Sequence, residues 1–311
     1  VYKRQVVPVY NEEGNVAELH KEIKDVCEKN QYEYEIIFVN DGSSDRTEEI
    51  CKTMRPLKYI CLRRNFGQTA AMDAGIKAAQ YDYIVTMDGD RQNDPADIPM
   101  MVQYLEENDL DVVSGWRKHR KDTIMKKFTS RGANLLRHIL VHDGIHDSGC
   151  SLKVYRKECF EHITLYGEQH RFIPAILKIK GFRVGEVVVN HRPRTVGKTK
   201  YNWKRTIKGF VDMISVWFWN KYSTRPLHLL GGMGFVFLLL GGGCGIWSVV
   251  LFCEGRKMSN NIFPPLLTVF FIIIGMLLFI FGLMSEILVK TYYGTHVDSS
   301  YSIKEISEYK K

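Results

Sequence analysis

The sequence predicts an α/β domain built on a mostly parallel sheet, followed by two helices able to cross a membrane. Three observations predict it. Short apolar runs alternate with helical patterns from Val6 to about Gly115. Two of those runs end in acidic turns, DGSSD at 41–45 and DGDRQ at 88–92. Residues 227–252 and 262–285 then form stretches of 26 and 24 residues without Asp, Glu, Lys or Arg. About 20 apolar residues span a bilayer, whereas soluble core helices are usually shorter and keep a polar edge.

Taken in order, Gln5–Tyr10 reads as a strand. Asn15–Lys29 reads as a helix with Val16, Leu19, Ile23 and Val26 along one side. Glu35–Asn40 is a continuous apolar strand, Thr47–Met54 a short helix and Tyr59–Arg63 a third strand. Thr69–Ala79 follows as a helix and Tyr83–Met87 as a fourth strand. Strand–helix alternation of this kind gives a parallel sheet with helices on both faces, and such sheets bind ligands outside the carboxyl ends of their strands. Residues 116–145 are less regular and basic, and Val184–Asn190 reads as a further strand. Trp203–Tyr222 carries Trp203, Ile207, Phe210, Ile214 and Trp217 at helical spacing with basic flanks, the pattern of a helix lying in a membrane interface; packing onto the preceding domain is the alternative. The predicted organisation is a domain over 1–201, an amphipathic interfacial region over 202–226, a two-helix membrane domain over 227–290 and a tail over 291–311.

The net charge of +8 is concentrated. Residues 117–141 hold eight Lys or Arg against one acid, and 190–208 hold seven against none. No nucleic-acid-binding motif accompanies these runs, so nucleic acid is not an expected partner. Beside membrane helices, anionic headgroups and phosphorylated substrates fit better. The seven cysteines are scattered, without CxxC spacing, which suits reduced thiols. No charged leader precedes an apolar stretch, so a secretory signal is not expected. Lys221 and Arg225 precede the first span and Lys290 follows the second, but Arg256 and Lys257 lie between them, so the positive-inside signal is mixed. Gly231, Gly232, Gly234 and the run 241–243 permit close helix packing, and a homo-oligomer is expected from them.

Chemistry is expected first at Asp88-Gly89-Asp90. Two carboxylates at i and i+2 can hold Mg²⁺ or Mn²⁺ against a diphosphate. Alone the motif is weak, because Asp-Gly-Asp is also ordinary turn chemistry. His138 and His142 are four apart and His146 follows after four more, yet no Cys or carboxylate completes a compelling zinc set, and they read as interfacial or structural histidines.

The surroundings of the acidic loop change its weight. PVYNEE (8–13), VNDGSSD (39–45), RNFGQTAAMDAGI (64–76), MDGDRQNDP (87–95), SGWR (114–117), DSGCSLKVYRKE (147–158) and RPRTVGKTKY (192–201) occur in that order. With them the sequence resembles glycosyltransferase family 2, and within it the polyprenyl-phosphate glycosyltransferases, such as dolichol-phosphate mannose synthases and bacterial undecaprenyl-phosphate glucosyl- and aminoarabinosyltransferases. The resemblance implies a GT-A, Rossmann-like fold. It implies inverting transfer of a sugar from a nucleotide sugar to polyprenyl phosphate, by an integral membrane enzyme whose catalytic domain is cytoplasmic, in a bacterial plasma membrane. UDP-glucose is the first donor expected, ahead of UDP-N-acetylglucosamine and GDP-mannose, and undecaprenyl phosphate the first acceptor. The alternatives are a GDP-mannose-dependent dolichol-phosphate mannose synthase, or a non-catalytic membrane scaffold. A processive polysaccharide synthase would carry QxxRW and more spans, and this chain has neither.

By the same resemblance Pro8, Tyr10 and Glu12 line the nucleoside pocket, Asp41 contacts the base or ribose, and Gln68 lies on the nucleotide side. Asp88 and Asp90 hold the metal–diphosphate with Gln92 in support. Arg91 stands where these relatives usually have Leu, facing phosphate, acceptor or solvent. Asp147 takes the place conventionally called general base. A phosphate monoester is already largely anionic, with a second pKa of about 6, so positioning the sugar or the acceptor is the other reading, and a helix cap a third. Arg117 and Arg131 suit the acceptor phosphate, because guanidinium forks match phosphate oxygens. Arg192, Arg194 and Lys198 belong to a loop that closes over the diphosphate, with Gly197 supplying flexibility.

Overall fold

The computed structural model describes residues 2–118, then 144–193 apart from 162, 164, 166 and 168, and then 211, 214, 215, 217, 218, 221, 222, 225–256 and 261–295. The chain divides into two compact units, Val1–Trp217 and Phe218–Lys311.

The first unit is built on a seven-stranded sheet. Its strands are β1 (Tyr2–Val9), β2 (Glu33–Asn40), β3 (Lys58–Cys61), β4 (Tyr83–Thr86), β5 (Val112–Trp116), β6 (Lys153–Arg156) and β7 (Val184–Val188), in the order β3-β2-β1-β4-β6-β5-β7. Only β6 is reversed: it runs antiparallel to both β4 and β5, and every other pair is parallel. The helices are α1 (Val16–Lys29), α2 (Thr47–Thr53), α3 (Gln68–Ala78), α4 (Ile98–Glu107) and α5 (Ile173–Ile179).

The continuous apolar strands follow from burial on both faces. Side chains alternate between two cores, as the pleat requires. Val7, Phe38, Val85 and Val113 face one core with Leu19 and Ile23 of α1 and Met101 of α4. Val6, Ile37, Ile84 and Val112 face the other with Met72 and Ile76 of α3 and Leu177 of α5. On α1 the inward stripe is Val16, Leu19, His20, Ile23 and Cys27, so Cys27 takes the place expected of Val26. Gly75 lets α3 settle against the sheet: a Cβ there would stand 2.3 Å from Val6 Cγ1.

The expected strands and helices of residues 5–87 are all present, with ends shifted by a few residues. α4, β5, β6 and α5 extend the pattern. The reversal of β6 has a spatial consequence: its first residue, Lys153, lies level with Thr86 of β4 and Ser114 of β5. Residues 147–152 therefore arrive at the carboxyl edge of the parallel strands, beside the loop that leaves β4.

The second unit contains α6 (Pro226–Cys253) and α7 (Phe263–Thr295). Pro226 opens α6 where its missing N–H is not needed. Both helices are long and apolar enough to cross a membrane, and only 11% of each apolar window is buried. Their Leu, Phe and Ile side chains point outward, while Gly234 and Gly275 bring the backbones together: a Cβ on Gly234 would lie 2.7 Å from the Gly275 carbonyl. Ser248 and Thr268 donate to carbonyls of their own helix, Cys244 at 2.8 Å and Pro264 at 2.9 Å, which satisfies them where water is absent. Of the expected interfacial helix, Trp203, Ile207 and Phe210 lie outside the described residues.

Candidate active site

The loops at the carboxyl edge are tied to one another. Pro8 lies beyond the point where β1 pairs with β4, which ends at Val6, so its missing donor breaks no ladder there. Tyr10 follows, 37% exposed. The Glu12 amide donates to Thr47 Oγ1 at 3.0 Å, and its carboxylate accepts from Asn15 Nδ2 at 2.6 Å. Asn11, in the left-handed region, donates its amide to Ser43 Oγ and accepts from the Ser44 amide at 2.8 Å. These bonds fix the loop after β1 to the loop after β2. Asp41 is 3% exposed, and its two oxygens accept from the amides of Phe66 (2.7 Å) and Gly67 (2.9 Å). It thus clamps the loop after β3 and delivers Gln68 at the start of α3. Gly42 makes room for that loop; its φ is +67°, and a Cβ would fall 2.5 Å from Arg64 C.

Gln68 Nε2 donates to Asp88 Oδ1 at 2.7 Å, which joins two residues expected on the nucleotide side. Asp90 Oδ1 accepts from the Gln92 amide at 3.1 Å, an Asx turn that holds the acidic loop. Among the described residues no three His, Cys, Asp or Glu side chains gather into a metal site. The residues of this loop that could hold a cation are the two hard carboxylates Asp88 and Asp90, with the Gln92 side-chain carbonyl as a further candidate. That fits a cation such as Mg²⁺, which is commonly held by one or two carboxylates and completed by substrate phosphate and water.

Asp147 and Arg117 form a two-pronged ion pair: Nε to Oδ2 at 2.7 Å and Nη2 to Oδ1 at 3.0 Å. Their side chains are 19% and 11% exposed. Burial opposes the Arg117 charge, but the hydrogen bonds and charge of Asp147 outweigh it and raise its pKa. Gly149 leaves room for the pair; a Cβ there would meet Arg117 Nη2 at 3.3 Å. Glu186 of β7 accepts from the amides of His146 (3.0 Å) and Asp147 (2.9 Å). The His146 ring stacks on Trp116 at 4.5 Å.

Ser151 joins this pair to the acidic loop. Its hydroxyl accepts from the Asp88 amide at 3.1 Å and from Asn93 Nδ2 at 2.7 Å, and its carbonyl accepts from Thr86 Oγ1 at 2.9 Å. Ser151 lies four residues after Asp147, so the segment that carries Asp147 is tied to the loop that carries Asp88. Cys150 in the same stretch stays a thiol, since burial pushes its pKa up to about 11. Neither Ser151 nor Lys153 was expected at the site, although both belong to the DSGCSLKVYRKE motif.

The expected lid begins in a clasp. Arg192 donates to Glu22 Oε2 of α1 at 2.8 Å and to Asp94 Oδ1 at 2.6 Å, and its amide donates to the Gln92 carbonyl at 2.9 Å. Arg91, in the left-handed region, reaches the other Glu22 oxygen at 2.5 Å. Arg91 therefore faces a carboxylate of α1, and Arg192 is tied to the acidic loop through Gln92 and Asp94. Glu22 carried no signal in the sequence beyond its place on a solvated helix face. Arg131, Arg194 and Lys198 lie outside the described residues.

Known proteins fit this geometry. Residues 5–164 match the profile of glycosyl transferase family 2. The chain is 38% identical to dodecaprenyl-phosphate galacturonate synthase of Rhizobium johnstonii, over 97% of this chain and 91% of that protein. It is 32% identical to undecaprenyl-phosphate 4-deoxy-4-formamido-L-arabinose transferase of Yersinia enterocolitica, over 97% and 92%. Among solved structures it resembles glucosyl-3-phosphoglycerate synthase of Mycobacterium tuberculosis in complex with Mn²⁺, UDP and glucosyl-3-phosphoglycerate. That likeness has a TM-score of 0.56 over 70% of this chain and 79% of that one, and at 15% identity it speaks for the GT-A-like fold alone. The fold, the ordered loops and the full-length relatives agree: the chain belongs to glycosyl transferase family 2.

Proposed function

We propose that this protein transfers a sugar from a nucleoside diphosphate sugar to the phosphate of a polyprenyl lipid at a membrane surface. The observation that carries the reading is the tie, through Ser151, between the loop of Asp88 and the segment of Asp147, which brings a candidate cation loop together with a largely buried Arg–carboxylate pair. Two helices fit to span a membrane accompany it, and both full-length relatives named above act on polyprenyl phosphates.

In this reading Asp88 and Asp90, aided by Gln92, hold Mg²⁺ or Mn²⁺, and the cation neutralises the departing diphosphate when bound. Pro8, Tyr10, Glu12 and Gln68 shape the nucleoside side, with Asp41 fixing the loop that presents Gln68. The lipid phosphate oxygen attacks the anomeric carbon in line, so the configuration inverts. Its nucleophile is already anionic near neutral pH, so Asp147 serves best as the group that holds Arg117 and the sugar in position. Arg117, Arg131 and the lid residues Arg194 and Lys198 supply positive charge where two anionic substrates meet, and Arg192 anchors the lid. The catalytic unit faces the cytoplasm.

UDP-glucose is the donor we put first. The relatives' names add galacturonate and 4-formamido-arabinose donors to the panel, and GDP-mannose represents the dolichol-type alternative. The test uses full-length protein in detergent with Mn²⁺, undecaprenyl phosphate and these labelled donors, with label scored in the organic phase. Lipid-linked label from one donor, lost on adding EDTA, supports the reading. Metal-dependent nucleotide binding without lipid labelling from any donor, on undecaprenyl or dolichyl phosphate, refutes it.

A further inference from the structure

Among the described residues Lys153 is the one buried lysine, 2% exposed, at the start of the reversed strand β6. Its ammonium donates to the carbonyls of Cys150 and, at 3.4 Å, Ser148. No carboxylate stands within ion-pair distance of it among the described residues. Asp147, Asp88 and Arg117 of the site described above act on it through space, beside the neighbouring Cys150. Burial disfavours its charged form and lowers its pKa. A buried ammonium held only by two carbonyls is an expensive way to fasten a loop, since an apolar side chain would fill the same space without desolvating a charge. Neighbouring framework bonds from Ser151 already fix the same stretch.

We propose that Lys153 is a positioning residue whose buried charge tunes the site's preference between cation and anion. From the start of β6, level with the end of β4 from which the acidic loop leaves, it weakens the hold of that loop on a bare divalent cation and strengthens the hold of the same site on the diphosphate. A fixed charge close to a site of low dielectric acts on both ligands with opposite sign. Its effect is to favour the cation that arrives with, or stays only with, the nucleotide. This inference rests on the metal–diphosphate reading of the site.

The experiment measures binding rather than turnover, by calorimetric titration of the full-length protein in detergent with Mn²⁺ alone, and with UDP at saturating Mn²⁺. In Lys153→Met, Mn²⁺ alone should bind at least about threefold more tightly and UDP at least about threefold more weakly. Lys153→Arg keeps the charge while changing the carbonyl contacts, and should stay within about twofold of the parent for both ligands. A folded Met variant in which both affinities fall together, or neither moves, assigns Lys153 a merely structural role and overturns the proposal. If the Met variant does not fold, the Arg variant decides: parental affinities support the charge, and loss of both refutes it. A parent protein that binds neither Mn²⁺ nor UDP defeats the reading of the site itself, a different result from a parent that binds both and variants that do not split.

Discussion

The two units of this chain use the same apolar residues in opposite ways. In Val1–Trp217 the Val, Ile and Leu side chains of the strands turn into two cores, and polar groups gather at one edge of the sheet. In Phe218–Lys311 the Leu, Phe and Ile side chains turn outward, and the helices meet on glycine. The hydrophobic effect drives the first arrangement in water. It gives no attraction between helices in lipid, where close backbone packing and satisfied hydrogen bonds carry association. Glycine marks the contrast: Gly75 admits Val6 to a water-excluded core, whereas Gly234 admits the backbone of Gly275. In the proposed reading chemistry belongs to the sheet unit and anchorage to the helix pair, and variants in one should leave the other's property intact.

The largest separation should come from Asp90→Asn. Turnover in the lipid-labelling assay should fall at least about 10²–10³-fold, the scale of losing a preorganised electrostatic contact, with the helix pair's behaviour in detergent unchanged. Near-parental activity would remove Asp90 from the metal site.

Asp147→Asn comes next and strikes stability as well as activity. It leaves the largely buried Arg117 without its counter-charge, and breaking a fully buried pair costs about 3–5 kcal/mol, an upper bound for this one. Thermal unfolding should show the loss in the sheet unit, with Arg117→Met milder because the uncompensated charge goes too. Equal stability of Asp147→Asn and the parent would mean that the pair is solvated.

Packing variants sharpen the comparison further. Gly75→Ala forces a methyl onto Val6 and should cost about 1–3 kcal/mol of unfolding free energy, read by denaturant titration. Gly234→Val should leave UDP affinity within about twofold and weaken the helix pair, read as faster proteolysis of α6 and α7 in detergent. Loss of nucleotide binding in Gly234→Val would mean that the units do not act separately.

The smallest effect belongs to the clasp. Hydrogen bonds from the Ala96 amide, Asn190 and Arg192 outweigh burial and hold Asp94 below the usual carboxylate range. A depressed carboxylate contributes stability above its unfolded value of about 4 and loses it as pH falls through the folded value. Asp94→Asn should thus cost about 1 kcal/mol at pH 7, Arg192 being about one-third exposed and screened, with the difference from the parent vanishing in acid. A gap that persists at pH 2 would assign it to packing rather than charge.

Much of this was legible in the sequence, for physical reasons. Strands β1 to β4 are apolar runs closed by turn residues, and the motifs at their ends name Asp41, Asp88 and Asp90 directly. Strand β6 was not legible: four residues, KVYR, with a charge at each end, look like a surface turn until their neighbours bury them. Lys153 and Ser151 were hidden with it. Glu22 was hidden because its partner Arg192 lies 170 positions away, and helix periodicity carries no trace of such a contact. Asp41 and Arg192 were visible as residue types, but the bonds that Asp41 makes to the loop after β3 and Arg192 makes to Glu22 and Asp94 were not.

The most direct test of the central claim is transfer of label from a nucleotide sugar to undecaprenyl phosphate by the full-length protein with Mn²⁺. The account predicts lipid-linked label from one donor of the panel, lost with EDTA and lost in Asp90→Asn. Labelling that survives both treatments would contradict it.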